Sequence, residues 1–457
     1  MKLHSVFQYV YIFYTFVFVL HIANIFIASD RLNYVIGLLA LVMLVISFAS
    51  ASKLFRILSA SFIVIGGCLY ATSGQSVLAI PSALTANIAL LTLLAMLPWM
   101  NSVVRSGRFD RSLNSLMKAN VSDVGKMYTR GSATTFTLAA FLNLSAVTIS
   151  QDVLKDNLAH FNKKVRDSFI STSTLRGFSL ALLWSPLEIL VVLSIFVTGV
   201  SYVAILPWLL LIAVLTFILD ALWGRYHFRK YAYANQSGEQ SREMNVKGIA
   251  KKIAHLASAL VLFLALVIVC GTFFEIDFIL TVTLLIFPFT LIWSTIIKRG
   301  RSFWVIGWHN WKMKANTMQN FIILFISLSF FSNSISNSSF LEVIEKPILL
   351  VAQYPLVVFL LIQVIFIFLS LFGIHPIATI GILTGLIGSL LDVYNPLSLS
   401  IVMVTSAIAT LTVGTYGLVV TLTAMDTNQS PYRITLNNLP FALLLGGIGT
   451  IIAYILL

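Results

Sequence analysis

Apolar residues run along nearly the whole chain in stretches long enough to cross a bilayer, and short polar segments separate them. A transmembrane helix needs about 20 apolar residues. This pattern predicts membrane spans near residues 7–28, 33–51, 56–73, 78–99, 176–199, 201–223, 254–274, 278–297, 316–337, 397–425 and 439–457. The chain is therefore predicted to be an all-α polytopic membrane protein.

The short loops between these spans hold most of the Lys and Arg residues, and this bias predicts the orientation of the chain. Cytoplasmic loops carry the excess of Lys and Arg. Lys53 and Arg56 place the second loop inside, and Arg433 places the last loop inside. The N-terminus is then cytoplasmic, the C-terminus is extracytoplasmic, and the polar segment 225–252 is a cytoplasmic linker. The Ile-, Phe-, Asn- and Ser-rich composition favours a bacterial cytoplasmic (inner) membrane.

Residues 131–151 form an apolar segment whose middle is too polar for an ordinary span. Basic residues flank it on both sides, with Arg105 and Arg130 before it and Lys155 and Lys163 after it. Both flanks are predicted to be cytoplasmic, so the segment enters and leaves the membrane on one side as a re-entrant hairpin. Non-helical backbone at membrane depth is tolerated only beside protein or water, so such a hairpin indicates a substrate or ion path.

The segment 340–391 contains a second candidate hairpin. A predicted surface helix over 340–353 precedes two apolar arms, 354–372 and 377–391, which flank a break at Gly373–Pro376. Glycine loosens a helix and proline removes a backbone donor, so both residues favour an interruption. Two interpretations stay open: a hairpin that enters from outside, or two full spans, for which a second arm of about 15 residues is short.

The two halves of the chain repeat the same order of elements. The first half interrupts the helix after its hairpin at Leu183–Pro186, and the second half interrupts the corresponding helix at Thr412–Gly417. Paired interruptions in two inverted repeats indicate a transporter binding site near the membrane midplane. The predicted segments are N-terminal scaffold helices (1–130), a first hairpin with a broken and a closing helix (131–224), the linker (225–252), second scaffold helices (253–338), and a second hairpin with a broken and a closing helix (339–457).

The composition excludes a soluble enzyme with a single anchor. Of the 457 residues, 59% are hydrophobic and 10% are charged, whereas a soluble domain has about 25% charged residues. The net charge of +13 is explained by basic loops that face the cytoplasm and lipid headgroups, so the predicted partner is the bilayer and not nucleic acid. Cys68 and Cys270 lie far apart in apolar segments, which predicts neither a disulfide framework nor a metal site, and no cofactor is expected.

Two inverted repeats, each with a re-entrant hairpin and a broken helix, resemble the ion transporter superfamily of divalent anion–sodium symporters, citrate carriers and arsenite permeases. The resemblance covers residues 30–457 and concerns architecture. Known members carry Ser-Asn-Thr at the hairpin tips, whereas this chain has Asn143-Leu144-Ser145 in the first tip and Gly373-Ile374-His375-Pro376 in the second. The resemblance implies a homodimer in which a transport domain moves against a fixed scaffold, as in an elevator.

Nine residues at the tips and breaks are candidate substrate- or ion-binding residues: Asn143, Ser145, Ser185, Glu188, His375, Thr379, Thr412, Gly414 and Thr415. Asn143 and Ser145 can offer oxygen ligands to a cation, with sodium as one option, or hydrogen-bond donors to an anion. The alternative is a turn in which both side chains bond to nearby backbone. Glu188 lies in an apolar helix, where a carboxylate is costly and suggests proton or sodium binding. Its alternative role is that of a structural partner.

Three further ionisable residues allow more than one interpretation. The imidazole of His375 suits proton coupling or anion contact, and the alternative is a helix-ending residue at the outer interface. Arg176 is interpreted as an ordinary cytoplasmic anchor that opens its helix, with attraction of an anionic substrate as the alternative. Asp220 is expected to be solvated or paired.

The leading functional hypothesis is a secondary active transporter of a small anion or anionic metabolite, coupled to a proton or sodium. A flippase or carrier of a lipid-linked polyprenyl phosphate is the alternative. A polytopic glycosyltransferase or polymerase is less favoured, because such enzymes need a sizeable loop with catalytic side chains, and every predicted external loop is short.

Overall fold

The structure is a computed structural model that describes residues 9–107, 123–231, 246–338 and 351–457. Every regular element in these ranges is helical. The centre of the predicted linker and residues 340–350 of the predicted surface helix lie outside the described residues.

The first half of the chain contains ten α-helices and one short 3-10 turn in its described part. They are α1 (Val10–Ile27), α2 (Asp30–Ser50), α3 (Lys53–Thr72), the 3-10 turn (Val77–Ala79), α4 (Ile80–Ala83), α5 (Ile88–Ser106), α6 (Val124–Leu142), α7 (Leu144–Asn157), α8 (Lys163–Leu182), α9 (Ile189–Thr198) and α10 (Tyr202–Phe228).

The described part of the second half contains nine α-helices. They are α11 (Val246–Phe274), α12 (Phe278–Ile296), α13 (Gly300–Asn316), α14 (Gln319–Ser336), α15 (Pro355–Leu371), α16 (Pro376–Leu391), α17 (Pro396–Val413), α18 (Leu418–Thr427) and α19 (Pro431–Ile455).

Within the described ranges, nine helices or helix pairs are long and apolar enough to cross a membrane, which agrees with an all-α polytopic membrane protein. Helices α13 and α14 form a further pair that bends by 54°. Several helix boundaries differ from the sequence prediction; α19, for example, begins at Pro431 and not at residue 439, so Arg433 lies in its first turn. Helix α8 begins at Lys163 and not at Arg176, and α11 begins at Val246, so the end of the predicted linker is helical.

The chain divides into two compact units, each assembled from both halves. Unit 1 comprises Met1–Val103, Leu266–Gln353 and Gly381–Asp392. Its described part contains most of the predicted scaffold helices. Within this unit Trp99 contacts the rings of Phe287 and Phe303, and α3 packs along α14.

Unit 2 comprises Val104–Ala265, Tyr354–Ile380 and Val393–Leu457. It holds the first candidate hairpin (α6 and α7), both broken helices (α8 with α9, and α17 with α18), and both closing helices (α10 and α19). Helix α17 packs against α19, α15 and α9, while α8 packs against α6, α7 and α17.

Helices α8 and α17 form the centre of unit 2. Every residue of α8 from Phe169 to Leu182 is buried, and so is nearly every residue of α17 from Ser398 onward. Both helices are buried on all sides although they carry many Ser and Thr side chains. Several of these hydroxyls bond back to carbonyl groups of the same helix, as Thr174 does to Ile170 and Thr405 does to Ile401. This back-bonding satisfies polar side chains that are buried in the core of the unit.

Candidate functional site

The first candidate hairpin turns at a single residue. Helices α6 and α7 meet at Asn143, whose φ is 47° and ψ is −130°, and they pack on each other and on α8. A positive φ is uncommon outside glycine, although asparagine tolerates it better than most residues. Such strain costs about 1–3 kcal/mol and persists where the surroundings fix it, frequently at functional sites.

Glu188 lies opposite this turn, at the end of the first helix break. Helix α8 ends at Leu182 and α9 begins at Ile189, so the interruption predicted at Leu183–Pro186 is present. The Glu188 carboxylate caps α9 by accepting a 3.5 Å hydrogen bond from the Leu190 amide, and it interacts with the Asn143 side chain. Only 7% of Glu188 is exposed, and no described cation forms an ion pair with it.

The break itself is held by local bonds. The Ser185 hydroxyl accepts a hydrogen bond from the Leu187 amide at 3.3 Å, and the Tyr202 hydroxyl donates to the Trp184 carbonyl at 2.5 Å. Ser185 is buried. Its hydroxyl therefore stabilises the turn, while the non-helical backbone keeps Glu188 facing Asn143.

Arg105, in the last turn of α5, adds a positive charge to the first turn. Its guanidinium donates a 2.6 Å hydrogen bond to the Ser145 hydroxyl, and the Arg105 side chain is exposed. The positive charge of the Arg105 guanidinium repels a sodium ion at the Ser145 hydroxyl and attracts an anion there. The geometry thus favours an anion over sodium at Ser145, and the sequence prediction had not paired these two residues.

The turn at Gly373 also packs against a helix break, the one between α17 and α18. Gly373 has a φ of 86°, and a Cβ atom there would lie 3.2 Å from the Tyr416 ring. Helix α17 ends at Val413 and α18 begins at Leu418. A Cβ atom at Gly414 would lie 3.0 Å from the Ser370 hydroxyl. Both halves therefore place a turn against their own broken helix.

The remaining predicted residues of the second half occupy different surroundings. His375 is half-buried and its Nδ1 accepts a hydrogen bond from the Ile377 amide, so it caps α16. The Thr379 hydroxyl is buried with no hydrogen-bond partner among the described residues. Thr412 donates to the Ala409 carbonyl within its helix, while Thr415 shares a 3.2 Å hydrogen bond with Thr435 of α19.

All nine predicted site residues lie in unit 2. Four of them lie at the first turn and the first helix break, and the other five belong to the second half of the chain. Helix α9 packs against α17, so the half-helix that follows the first break lies along the second broken helix.

The prediction that Arg176 is a cytoplasmic anchor at the start of its helix is wrong. Arg176 lies in the middle of α8, is 4% exposed, and forms a 2.7 Å ion pair with Asp220 of α10. It also donates to the Asn438 side chain and the Asn437 carbonyl, and it lies 4.3 Å from the centre of the Trp223 ring. Because these partners satisfy the guanidinium, Arg176 is a structural residue that joins α8, α10 and α19.

Comparisons with known proteins agree with this fold. No protein-family model matches the chain, and no curated protein matches it significantly. Among solved structures, the chain is similar to the crystal structure of the Alcanivorax borkumensis YdaH transporter, which was reported to have an unusual topology. The TM-score is 0.62 at 14% identity, and the match covers 88% of this chain and 97% of that chain. The chain thus has a fold similar to that of this transporter, while its resemblance to the ion transporter superfamily stays a prediction.

Proposed function

We propose that this protein is a secondary active transporter of a small anion or anionic metabolite, coupled to a proton or sodium. The observation that carries the proposal is the pair of turn-and-break arrangements in unit 2. In each, a turn with a positive φ lies against an interrupted, buried helix. Broken helices with free backbone groups near the midplane are the binding elements of many transporters.

An anionic substrate is supported by the first arrangement. The exposed guanidinium of Arg105 and the amide of Asn143 supply donors at the turn. Glu188 would repel an anion while it is ionised. A protonated Glu188 removes that repulsion, so binding of the anion and binding of a proton at Glu188 favour each other. This linkage is a physical basis for symport.

The division into two compact units supports an elevator-type mechanism. Every candidate site residue belongs to unit 2, whereas most predicted scaffold helices belong to unit 1. We further propose opposed re-entrant hairpins, a homodimer, a cytoplasmic N-terminus and an extracytoplasmic C-terminus in a bacterial inner membrane. These follow from the predicted charge bias and the resemblance in architecture.

The direct test is flux into proteoliposomes that contain the purified protein. Labelled carboxylates, phosphate and sulfate are offered with an inward proton or sodium gradient. We expect gradient-driven uptake of at least one anion. Glu188→Gln should abolish the coupling to the proton gradient, while Glu275→Gln, in the exposed loop between α11 and α12, should retain that coupling.

Retained, proton-coupled uptake by Glu188→Gln would remove the role assigned to Glu188. Absence of anion flux together with movement of a fluorescent polyprenyl phosphate across the bilayer would replace the proposal with the lipid-carrier alternative.

A further inference from the structure

A polar cluster lies between α7, the second arm of the first candidate hairpin, and α18, the helix that follows the second break. It lies away from the two turns. Gln151 of α7 donates hydrogen bonds from Nε2 to the Thr174 hydroxyl at 3.1 Å and to the Thr423 hydroxyl at 2.8 Å. One turn further along the same two helices, Lys155 forms an ion pair with Asp426. We call these residues, together with Thr427 and Gln429, the α7–α18 cluster.

Three oxygen atoms of this cluster are buried and have no donor among the described residues: Gln151 Oε1, Gln429 Oε1 and Asp426 Oδ2. Both glutamine nitrogens are in use, because Gln429 Nε2 donates to the Thr427 hydroxyl and to the Asp167 carbonyl. Gln151 is fully buried and Gln429 is 9% exposed. Buried polar atoms nearly always have a partner, so three unsatisfied acceptors on residues of one cluster indicate a missing cation or donor.

The surrounding charge also favours a cation. The α7–α18 cluster lies at the last turn of α18, where the partial charge of a helix end is negative. Two carboxylates, Asp152 and Asp426, face one ammonium group, since Lys155 lies 3.7 Å from Asp152 and also contacts Asp426. The Asp426 side chain is 23% exposed and that of Lys155 is 27% exposed, which leaves the pair accessible to an ion.

We propose that the α7–α18 cluster is a binding site for a monovalent cation, with sodium as the first candidate. The Asp426 carboxylate and the amide oxygens of Gln151 and Gln429 are its ligands, and the Thr423 and Thr427 hydroxyls lie beside them. Lys155 neutralises Asp426 while the site is empty and swings away when the cation enters. Oxygen ligands suit a hard cation, and one carboxylate shared with a lysine is too little charge for a divalent ion.

This site deepens the proposed function, on which it rests, because it names the place where a coupling ion binds. It is separate from Asn143 and Ser145, where Arg105 disfavours a cation. Since α7 is an arm of the candidate hairpin and α18 belongs to the other half, a cation between them ties the hairpin to the second broken helix. Occupancy of the site thereby alters the stability of the hairpin arm.

The test is sodium-dependent thermal unfolding of the purified protein in detergent, with choline chloride replacing sodium chloride at constant ionic strength. We expect a saturable, sodium-specific rise in Tm. Asp426→Asn and Gln429→Leu should abolish this rise or increase the apparent Kd for sodium at least 10-fold. Lys155→Gln should lower the apparent Kd for sodium at least 10-fold, because the competing ammonium is gone. The matched control is Lys126→Gln, which removes an exposed partner of Asp123 and should leave the Kd unchanged.

The opposite behaviour of Lys155→Gln and Asp426→Asn separates a cation site from a structural ion pair, since a purely structural pair would respond alike to the loss of either partner. Equal loss of sodium affinity in both variants overturns the proposal. An equal Tm in sodium and in choline for the unmodified protein overturns it as well. Sodium binding without any anion flux would leave the site standing and remove the proposed function. Proton-driven anion flux without sodium binding would support the proposed function and remove the cation site.

Discussion

Arg105 and Glu188 place opposite charges on the two sides of one turn. Arg105 contacts Ser145, and Glu188 interacts with Asn143, two residues earlier in the chain. An anion at the turn gains from the first charge and is opposed by the second. The balance depends on whether Glu188 holds a proton, so the two residues are expected to affect different measured quantities.

Arg105→Ala is expected to raise the KM for the transported anion about 10-fold, which corresponds to the loss of about 1.4 kcal/mol of binding free energy. Arg105→Lys should recover part of the affinity, because the charge remains but the planar guanidinium is lost. Initial rates of uptake into proteoliposomes measure the effect. Arg433→Ala, at an exposed position of unit 2, is the control, and an equal rise in its KM would remove Arg105 from the site.

Asn143 and Glu188 could be proposed as site residues from the sequence because polar side chains are conspicuous in apolar segments. The contact between Arg105 and Ser145 could not be predicted, since the positive-inside rule already explains any arginine that follows a span. Arg176 was misinterpreted for the same reason. Only the three-dimensional packing shows that its partner, Asp220, is buried beside it.

At the scale of elements, one buried network joins four helices of unit 2. Asp220 of α10 accepts hydrogen bonds from Arg176 of α8 and from Tyr128 of α6, at 2.7 Å and 3.0 Å respectively. Asn438 of α19 bonds to the same guanidinium. The Tyr128 ring also lies so close to α10 that a Cβ atom at Gly224 would be 2.0 Å from it, so only glycine fits there.

Asp220→Asn is expected to destabilise the protein strongly, because the change leaves the buried charge of Arg176 without its counter-charge. Breaking such a pair from one side costs about 3–5 kcal/mol. The double variant Arg176→Met with Asp220→Leu should be more stable than the single variant, since neither charge remains buried. Thermal unfolding in detergent measures both.

Asp123→Asn, which breaks an exposed ion pair, is the control and should cost at most about 1 kcal/mol. A single variant as stable as this control would show that the network contributes little to the fold.

The helix breaks could be predicted because proline and glycine interrupt helices by simple chemistry. The start of α8 could not, since residues 163–175 are too polar for a span by hydropathy and yet are helical. From Phe169 onward that helix is buried on all sides within unit 2, and this burial depends on residues far away in the chain. Whether 354–391 forms a hairpin stays a prediction; α15 and α16, of 17 and 16 residues, are both short for a span.

At the scale of the whole molecule, both compact units draw on both halves of the sequence. The inverted repeats and the grouping of the helices by role stay predictions. The contacts that define each unit depend on packing, so hydropathy alone did not provide them.

Opposed hairpins predict opposite labelling of two exposed residues. In a variant without Cys68 and Cys270, a single cysteine at Asp152 should react with a membrane-impermeant maleimide only from the cytoplasm. A cysteine at Asp392 should react only from outside. Both positions are exposed in the structure, so accessibility reports sidedness and not burial. Labelling of position 152 from outside would turn the first hairpin into a full span and remove the inverted repeat.

The centre of unit 2 also constrains how the protein is made. An arginine in the middle of a helix costs about 2.5–3.5 kcal/mol when the helix enters the bilayer alone, and α8 carries Arg176 among Ser and Thr residues. Its counter-charge, Asp220, is synthesised 44 residues later, and Asn438 follows 262 residues after Arg176. We therefore expect the charge of Arg176 to gain its counter-charge only after α10 has been synthesised, and the hydrogen bonds around Arg176 to be complete only after α19 has been synthesised.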